Sequence, residues 1–294
     1  MPNIMRSLRD LFSPKKRQAP ALDAIEQSKK DVTSDDAEAY FNLAQAYYGA
    51  GDYQEAIANF DRSISIDPDV GVTYYNRAIV YNELKDYDKV ICDLNQAIKL
   101  SPNDADIYLF LGQVYHHTGE YELSLKNYAA AISLDPSAEA YSRRAFLYRS
   151  LGDHRRAIDD YDRAIKLNPN MDQARYDRAR SYDDLGDLKQ AIDAYGQAIN
   201  AVSDYAPLYN RRGFACYRLG YYKEALIDFD RAIALDQSSA ELYYNRACVY
   251  FRLGSYKRAI ADFDKAIKLD PNYAKAYNNR GFARYYSDDF QNAI

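Results

Sequence analysis

The sequence has no tryptophan and only three histidines and three cysteines among its 294 residues. Cys92, Cys216 and Cys248 cannot form an even set of disulfides and include no Cys-x-x-Cys pair, which predicts a reducing, cytoplasmic location. Charged residues interrupt every apolar run, so no segment is long enough for a transmembrane span. Lysine and arginine number 38 against 43 acidic residues, which argues against a nucleic-acid partner.

Patterns that would carry catalysis are equally scarce. His116 and His117 are neighbours on one predicted helix and point in different directions, so they cannot chelate a metal as an i, i+4 pair would. Cys248 has no base partner that the sequence reveals, and no phosphate loop or dinucleotide fingerprint occurs. We therefore predict no catalytic residue, no metal site and no cofactor, and a protein that is not an enzyme.

Tyrosine, by contrast, is abundant, with 31 residues, and many of these recur with a period of 34. Aligning them divides the chain into repeats, one of which is a residue shorter after Pro136. The predicted repeats are 37–70, 71–104, 105–137, 138–171, 172–205, 206–239 and 240–273, followed by an incomplete eighth at 274–294. We number the positions within each repeat from 1 to 34.

Glycine and proline punctuate each repeat. Glycine at position 15 predicts a left-handed residue that ends a first helix over positions 2–14. Proline at position 32 predicts a break after a second helix over positions 17–30, with looser junctions where Ser203 and Gln237 replace it. Small residues at positions 8, 20 and 27 let the helices approach closely, aromatic residues at positions 4, 17 and 24 fill the holes, and successive pairs must stack to bury their apolar faces.

These columns, for example Tyr40, Ala44, Ala56, Phe60 and Pro68 in the first repeat, resemble the tetratricopeptide repeat over residues 37–294. Tyrosine, or Arg175 in repeat five, stands where many members of that family have tryptophan. The resemblance implies an all-α fold: a right-handed superhelical solenoid of antiparallel helix pairs with seven full repeats and a truncated eighth. It also implies a scaffold or adaptor that binds a peptide or helix of a partner protein in its concave groove.

An internal covariation supports the helix pairs independently of the family. Position 7 on the first helix should face position 23 on the second across an antiparallel pair. Where position 7 is arginine, position 23 is aspartate in four repeats, which predicts the ion pairs Arg77/Asp93, Arg144/Asp160, Arg212/Asp228 and Arg246/Asp262. Repeat five departs from this rule, because Arg178 is matched with Ala194.

The family's concave face corresponds to positions 2, 5, 6, 9, 12 and 13, where aromatic residues are enriched here. The predicted partner-binding residues are Asn42, Tyr48, Asn76, Arg143, Arg180, Arg211, Tyr217, Asn245, Phe251 and Asn279. Asparagine can donate and accept at once and so clasp a peptide backbone, and arginine can bind a carboxylate. The alternatives are solvated asparagines, aromatic rings that only pack on the next helix, and arginines neutralised by Glu139, Asp177, Asp183 and Asp184.

One specialisation of the family is absent from this sequence. Members that hold the acidic C-terminal tail of a chaperone resemble one another in a carboxylate clamp, with lysine at position 5 and asparagine at position 9. No repeat here has either residue, and Asn279 stands where the clamp requires arginine. A chaperone tail is therefore not the predicted partner.

The two ends of the chain lie outside complete repeats. Residues 1–36 are predicted to be a flexible extension with a short amphipathic segment, and contact of residues 1–17 with a membrane surface is a less favoured alternative. Residues 289–294 match positions 16–21 and then stop, so we expect the natural chain to continue beyond Ile294. Two other functions stay open: the recognition arm of a larger, for example glycosyltransferase-like, enzyme, and a purely architectural scaffold.

Overall fold

The computed structural model describes residues 24–29 and 35–287, and these residues form helices and no strand. A short helical segment at 24–29 precedes fifteen longer helices. The first six are α1 (Ala37–Ala50), α2 (Tyr53–Ile66), α3 (Gly71–Glu83), α4 (Tyr87–Leu100), α5 (Ala105–Thr118) and α6 (Tyr121–Leu134). The others are α7 (Ala138–Ser150), α8 (His154–Leu167), α9 (Asp172–Leu185), α10 (Leu188–Ala201), α11 (Ala206–Arg218), α12 (Tyr222–Leu235), α13 (Ala240–Arg252), α14 (Tyr256–Leu269) and α15 (Ala274–Tyr286).

The chain divides into two compact units, Met1–Pro136 and Ser137–Ile294, at the repeat that is one residue short. Unit 1 contains α1 to α6, and unit 2 contains α7 to α15. Within each unit every helix packs against the helix before it and the helix after it. Odd-numbered helices are the first helices of the repeats and even-numbered helices the second, which confirms the predicted all-α stack of helix pairs.

The first helices end at a residue in the left-handed conformation, as the glycine column predicted. Six glycines at position 15 have φ between 71° and 88°. The N–H of Gly51, for example, bonds to the carbonyl oxygens of the last turn of α1. Lys85 occupies this position in the second repeat with φ 60°. A side chain in that conformation costs about 1–2 kcal/mol relative to the right-handed one, so this junction is strained.

The second helices end at position 30 whether or not proline follows. Ala201 and Leu235 end α10 and α12 in the two repeats that lack the proline, and Leu269 ends α14 where Pro271 is present. The residue after the helix is extended in each case; Asp236, for example, has φ −138° and its carboxylate accepts a 2.9 Å hydrogen bond from the Ser238 N–H. Proline at position 32 is therefore not required to end the second helix, because the backbone already leaves the helical conformation at position 31.

The core of each repeat lies where position 24 of the second helix meets position 8 of the first. Six aromatic side chains at position 24 are fully buried: Phe60, Tyr128, Tyr161, Tyr195, Phe229 and Phe263. A Cβ on Gly112 would lie 2.7 Å from Cδ1 of Tyr128, closer than real carbon atoms approach. Burying a large apolar side chain contributes roughly 1.5–3 kcal/mol, so the small-residue column at position 8 makes room for the main source of stability.

All four predicted ion pairs between positions 7 and 23 are present. Arg77 donates from Nε and Nη2 to the two carboxylate oxygens of Asp93 at 2.8 and 2.6 Å. The other three pairs form the same two-bond fork at 2.6–2.9 Å. Their carboxylates are buried, so removing one partner is expected to cost about 3–5 kcal/mol.

In repeat five, where Ala194 replaces the position-23 aspartate, Arg178 has partners that the pairing rule does not predict. Arg178 donates to Asp162 of the preceding repeat at 2.6 Å and also to the amide oxygen of Gln197. Asp162 occupies position 25, and Arg246 reaches the equivalent residue Asp230 at 2.7 Å. A guanidinium at position 7 can therefore join its repeat to the one before it.

The predictions for residues 1–17 and 289–294 fall outside the described ranges. Lys29 of the short segment 24–29 lies over the ring of Tyr47, with Nζ 5.6 Å from its centroid. Across 24–29 and 35–287, no helix combines the length and the apolar character needed to cross a bilayer.

Candidate partner-binding surface

First helices of neighbouring repeats in unit 2 are joined by side chains that lie 35 residues apart. Asn245 donates to the amide oxygen of Asn210 at 3.0 Å, and Asn279 donates to the hydroxyl of Tyr244 at 3.0 Å. Because the repeat has 34 residues, such bonds connect position 5 of one repeat with position 6 of the next. We call the side chains at positions 2, 5, 6, 9, 12 and 13 of the first helices in each unit the first-helix surface.

A second row of contacts connects positions 12 and 13. Arg218 of α11 donates to Asp183 of α9 at 2.9 Å. Arg252 of α13 donates from Nε to the hydroxyl of Tyr217 on α11 at 3.3 Å. Three of the ten predicted partner-binding residues, Tyr217, Asn245 and Asn279, therefore take part in hydrogen bonds between repeats.

Two carboxylates of this surface are buried. Asp177 accepts a 2.8 Å hydrogen bond from Gln173 and lies 3.5 Å from Arg149. Burial raises the pKa of Asp183, while the charges of Arg218 and Arg211 act in the opposite direction. The sequence identified these acids on the correct helix face, but their burial depends on the neighbouring helices and could not be predicted from spacing.

The arginines of the surface differ in how closely an acidic side chain approaches them. Arg149 lies between Asp177 and Asp184, at 3.5 and 3.7 Å, and Arg218 is held by Asp183, so the expected neutralisation is confirmed for these two. Arg211 makes no ion pair within 4 Å among the described residues; burial lowers its pKa, and the nearby Tyr195, Tyr176 and Asp183 more than offset that effect.

Arg143 and Arg180 are intermediate cases. Arg143 lies 3.5 Å from Glu139 on its own helix, and both side chains are substantially exposed. Arg180 is 3.9 Å from Asp177, at the limit of an ion pair, and its guanidinium lies over the ring of Tyr176 at 5.7 Å from the centroid. An exposed pair such as Arg143 with Glu139 typically contributes less than about 1 kcal/mol.

The predicted asparagine contacts are partly occupied within the protein. Asn76 donates to the carbonyl oxygen of Val72, one turn earlier in α3, at 2.8 Å. Asn245 and Asn279 bond to the preceding first helix, as described above. Asn42 is exposed on α1. An amide N–H of each of the first three is thus used internally.

The aromatic residues of the surface also separate into two groups. Three rings at position 12 are half-buried against position 17 of their own repeat: Tyr48 on Tyr53 at 5.9 Å, Tyr217 on Tyr222 at 6.0 Å and Phe251 on Tyr256 at 5.5 Å between ring centroids. These three rings therefore pack within their own repeats and keep part of their surface exposed.

Two phenylalanines at position 9 are placed differently. Phe146 on α7 and Phe214 on α11 are 42% and 38% exposed. Position 9 of the intervening first helix is Arg180. The first-helix surface of unit 2 therefore presents an exposed ring, a guanidinium and a second exposed ring on three successive first helices.

The corresponding surface of unit 1 has a different character. Positions 2, 5, 6, 9, 12 and 13 of α1, α3 and α5 contain no lysine or arginine, and Glu38, Glu83 and Asp106 are acidic. Tyr75 and Phe110 pack edge to face across α3 and α5 with centroids 5.9 Å apart. In unit 2 the same positions hold seven cations, Arg143, Arg149, Arg180, Arg211, Arg218, Arg252 and Lys275, against five acids, Glu139, Asp177, Asp183, Asp184 and Glu241.

The thiols of Cys216 and Cys248 have raised pKa values. Burial raises the pKa of Cys216 to about 11. Burial also raises the pKa of Cys248, although hydrogen bonds from Tyr244 and Asn279 oppose it. Because the thiolate is the nucleophile and metal ligand, a raised pKa disfavours both roles at neutral pH.

Models of known protein families match the repeats of this sequence. A tetratricopeptide repeat model matches residues 37–70, 138–171 and 240–273, and a second matches 105–137 and 172–201. A model described as TPR repeat matches 80–119 and 215–254. Together these matches cover more than half of the chain, which belongs to the tetratricopeptide repeat family.

Individual relatives share the repeat and the fold. The tetratricopeptide repeat and J domain-containing co-chaperone DNJ1 of Cryptococcus neoformans is 44% identical over 48 residues, 16% of this chain and 9% of that protein, so the match spans less than a tenth of the relative. The C-terminal part of a TPR repeat-containing protein from Cytophaga hutchinsonii is 19% identical with a TM-score of 0.71, over 80% of this chain and 97% of that chain. YrrB, described as a TPR protein with an unusual peptide-binding site, is 22% identical with a TM-score of 0.58, over 64% and 97%.

Proposed function

We propose that this protein is a non-catalytic scaffold or adaptor that binds a peptide or a helix of a partner protein on its first-helix surface. The observation that carries this proposal is the exposure of Phe146 and Phe214 on a surface that also holds Arg180 and Arg211, neither of which has an acidic group closer than 3.9 Å among the described residues. Aromatic residues and arginine supply most of the binding energy at protein interfaces, because they bury large areas and also form polar contacts.

The fold supports the same conclusion. Tetratricopeptide repeats bind protein or peptide partners and are generally not catalytic, and YrrB, of similar fold, is described by its peptide-binding site. The raised pKa values of Cys216 and Cys248 agree with a binding role rather than nucleophilic catalysis. All three cysteines are free, which suits the proposed cytoplasmic location.

The internal contacts refine which residues we propose to meet the partner. Arg143, Arg180 and Arg211 in unit 2 and Asn42 in unit 1 present polar atoms to solvent. Asn76, Asn245 and Asn279 retain amide oxygens beyond the N–H bonds described above, and Tyr48, Tyr217 and Phe251 contribute ring edges. The first group is expected to dominate affinity because its existing ion pairs are long or solvent-exposed and cost little to exchange.

The test is capture of a native partner by two matched double variants of the full chain. Phe146→Ala with Phe214→Ala removes exposed rings from first helices. Ile227→Ala with Arg155→Ala removes exposed side chains from the second helices α12 and α8. Proteins co-purifying from the source cells are quantified by mass spectrometry, and circular dichroism checks that each variant keeps its helix content.

We expect the first variant to lose the main partner by at least tenfold and the second to retain it. If instead the second variant loses the partner and the first retains it, the partner binds the outer helices and the proposal is wrong. That result would favour the purely architectural scaffold.

A further inference from the structure

Three cations follow one another across the first helices of unit 2. Arg143 on α7 has only an exposed pair with Glu139, and Arg180 on α9 is 3.9 Å from its nearest acid. Arg211 on α11 makes no ion pair among the residues that the structure describes. The guanidinium groups therefore keep hydrogen-bonding capacity that the protein itself does not use.

The acids beside these arginines are not free to neutralise them. Asp177 is buried and already bonded to Gln173 with Arg149 beside it. Asp183 is buried and bonded to Arg218. Moving Asp177 outward would take the closest acid from Arg149, whose side chain is only 12% exposed, and moving Asp183 outward would break its bond to Arg218. An external acid is therefore the better partner for Arg180 and Arg211.

Phe146 and Phe214 set the apolar part of the ligand. They lie on the first and third of these helices, with Arg180 at the same repeat position between them. Packed helices are about 8–10 Å apart, so the two rings are separated by roughly 16–20 Å. An extended peptide advances about 3.3 Å per residue. A ligand that reaches both rings therefore has its apolar side chains about five or six residues apart.

We propose that the surface formed by Arg143, Phe146, Arg180, Arg211 and Phe214 binds an acidic peptide segment of a partner protein, with carboxylates placed between two apolar or aromatic side chains. A guanidinium holds a carboxylate through two parallel hydrogen bonds, and the flanking rings bury the apolar side chains. This inference rests on the proposed function and adds the chemistry of the partner. Unit 1 has no cation at the equivalent positions, so the preference for acid is confined to unit 2.

The first experiment selects ligands without assuming their sequence. A phage-displayed library of random 12-residue peptides is panned on the full chain, on Arg180→Gln/Arg211→Gln, and on Arg155→Gln/Lys223→Gln. The last variant removes two charges from exposed positions on second helices. We expect aspartate and glutamate to be enriched at least threefold by the wild type and the control, and not by Arg180→Gln/Arg211→Gln. An acid-poor selection by the wild type, or equal enrichment by all three proteins, would overturn the proposal.

The second experiment measures one selected peptide by fluorescence anisotropy. Replacing its acids with asparagine and glutamine should weaken binding to the wild type at least tenfold and leave binding to Arg180→Gln/Arg211→Gln unchanged. A 12-nucleotide oligouridine should not compete; competition that depends on the same arginines would show general polyanion binding and overturn the proposal. If acid preference is absent but Phe146→Ala/Phe214→Ala still abolishes native capture, the proposed function stands and only this inference fails.

Discussion

Asp162 on α8 is the one carboxylate that pairs with Arg178 on α9 among the described residues, at 2.6 Å, although it belongs to the preceding repeat. Position 23 of the fifth repeat is Ala194, so the usual partner within the repeat is missing. Arg246 has both kinds of partner, since it bonds to Asp230 of the preceding repeat and to its own Asp262. The same contact to the preceding repeat is therefore auxiliary in one place and essential in the other.

This difference predicts unequal costs for one substitution at equivalent positions. Asp162→Ala leaves Arg178, whose side chain is only 13% exposed, without a carboxylate and should lower the free energy of unfolding by about 1–3 kcal/mol. Asp230→Ala leaves the fork between Arg246 and Asp262 intact and should cost less than about 1 kcal/mol. Urea unfolding followed by circular dichroism measures both values.

A compensating change gives this prediction its control. Adding Ala194→Asp to Asp162→Ala supplies the position-23 acid present in four other repeats, and should recover part of the lost stability. Equal losses for Asp162→Ala and Asp230→Ala would contradict the assigned role of the contact between repeats.

Lys85 is predicted to destabilise the end of α3, because it holds a left-handed conformation that glycine adopts in six other repeats. Lys85→Gly should raise the free energy of unfolding by about 1 kcal/mol. Lys85→Ala removes the same side chain but keeps a Cβ, so it should give no comparable gain. Thermal unfolding of the three proteins tests the difference; a gain from alanine as large as that from glycine would assign the effect to the lysine side chain instead.

The helix pairs could be predicted because the residue at each of these repeat positions packs against, or pairs with, a residue of the same repeat. At Gly112 the ring of Tyr128 from the same repeat leaves no room for a Cβ. Arg77 faces Asp93 because an antiparallel pair fixes which positions meet. A period of 34 repeats these requirements, so a single sequence contains many independent copies of the evidence.

The first-helix surface was less predictable because its contacts join different repeats. Asn245 was predicted to clasp a ligand, yet its amide bonds to Asn210, and the rotation between successive helices that brings them together cannot be read from either repeat alone. The contacts between position 7 and position 25 of the preceding repeat do correspond to a pattern in the sequence. An arginine follows by 16 residues each aspartate that it contacts, namely Asp61, Asp162, Asp230 and Asp264. Comparison of adjacent repeats, rather than of positions within one repeat, would have found them.

The buried thiol of Cys216 predicts a change in stability at high pH. Burial raises its pKa from 9.0 to about 11, with Asp228 acting in the same direction and Arg212 opposing. Between pH 9 and 11 the unfolded chain releases this proton while the folded chain retains it, so stability falls as pH rises through that window. The difference in unfolding free energy between the wild type and Cys216→Ala should therefore shrink by up to about 2 kcal/mol from pH 8 to pH 11.

Comparison with an exposed thiol isolates this effect from the tyrosines and lysines that titrate in the same range. Cys92→Ala removes such a thiol from α4. From pH 8 to pH 11, the difference in unfolding free energy between the wild type and Cys216→Ala should fall. This fall should be clearly larger than any change in the difference between the wild type and Cys92→Ala. Equal pH dependence of the two differences would contradict the assignment to Cys216.

Two glycines in helix interiors are predicted to respond to alanine with opposite signs. Replacing glycine by alanine inside a helix normally gains about 1 kcal/mol, because the unfolded chain loses freedom. At Gly196 on α10 the new Cβ would meet only the Arg212 guanidinium at 3.6 Å, so Gly196→Ala should realise that gain. At Gly112 on α5 the Cβ would lie 2.7 Å from the ring of Tyr128, and overpacking of this kind costs about 1–3 kcal/mol.

Gly112→Ala should therefore leave the protein less stable despite the better helix propensity, and the cause can be tested through Tyr128. The second repeat already combines alanine and leucine at these two positions, in Ala78 and Leu94, both fully buried. In a Tyr128→Leu background the added methyl group should no longer collide, and Gly112→Ala should become neutral or stabilising. A double-mutant cycle by urea unfolding measures the coupling, expected to be at least about 1 kcal/mol. Independent effects of the two substitutions would mean that the ring is not what keeps position 112 small.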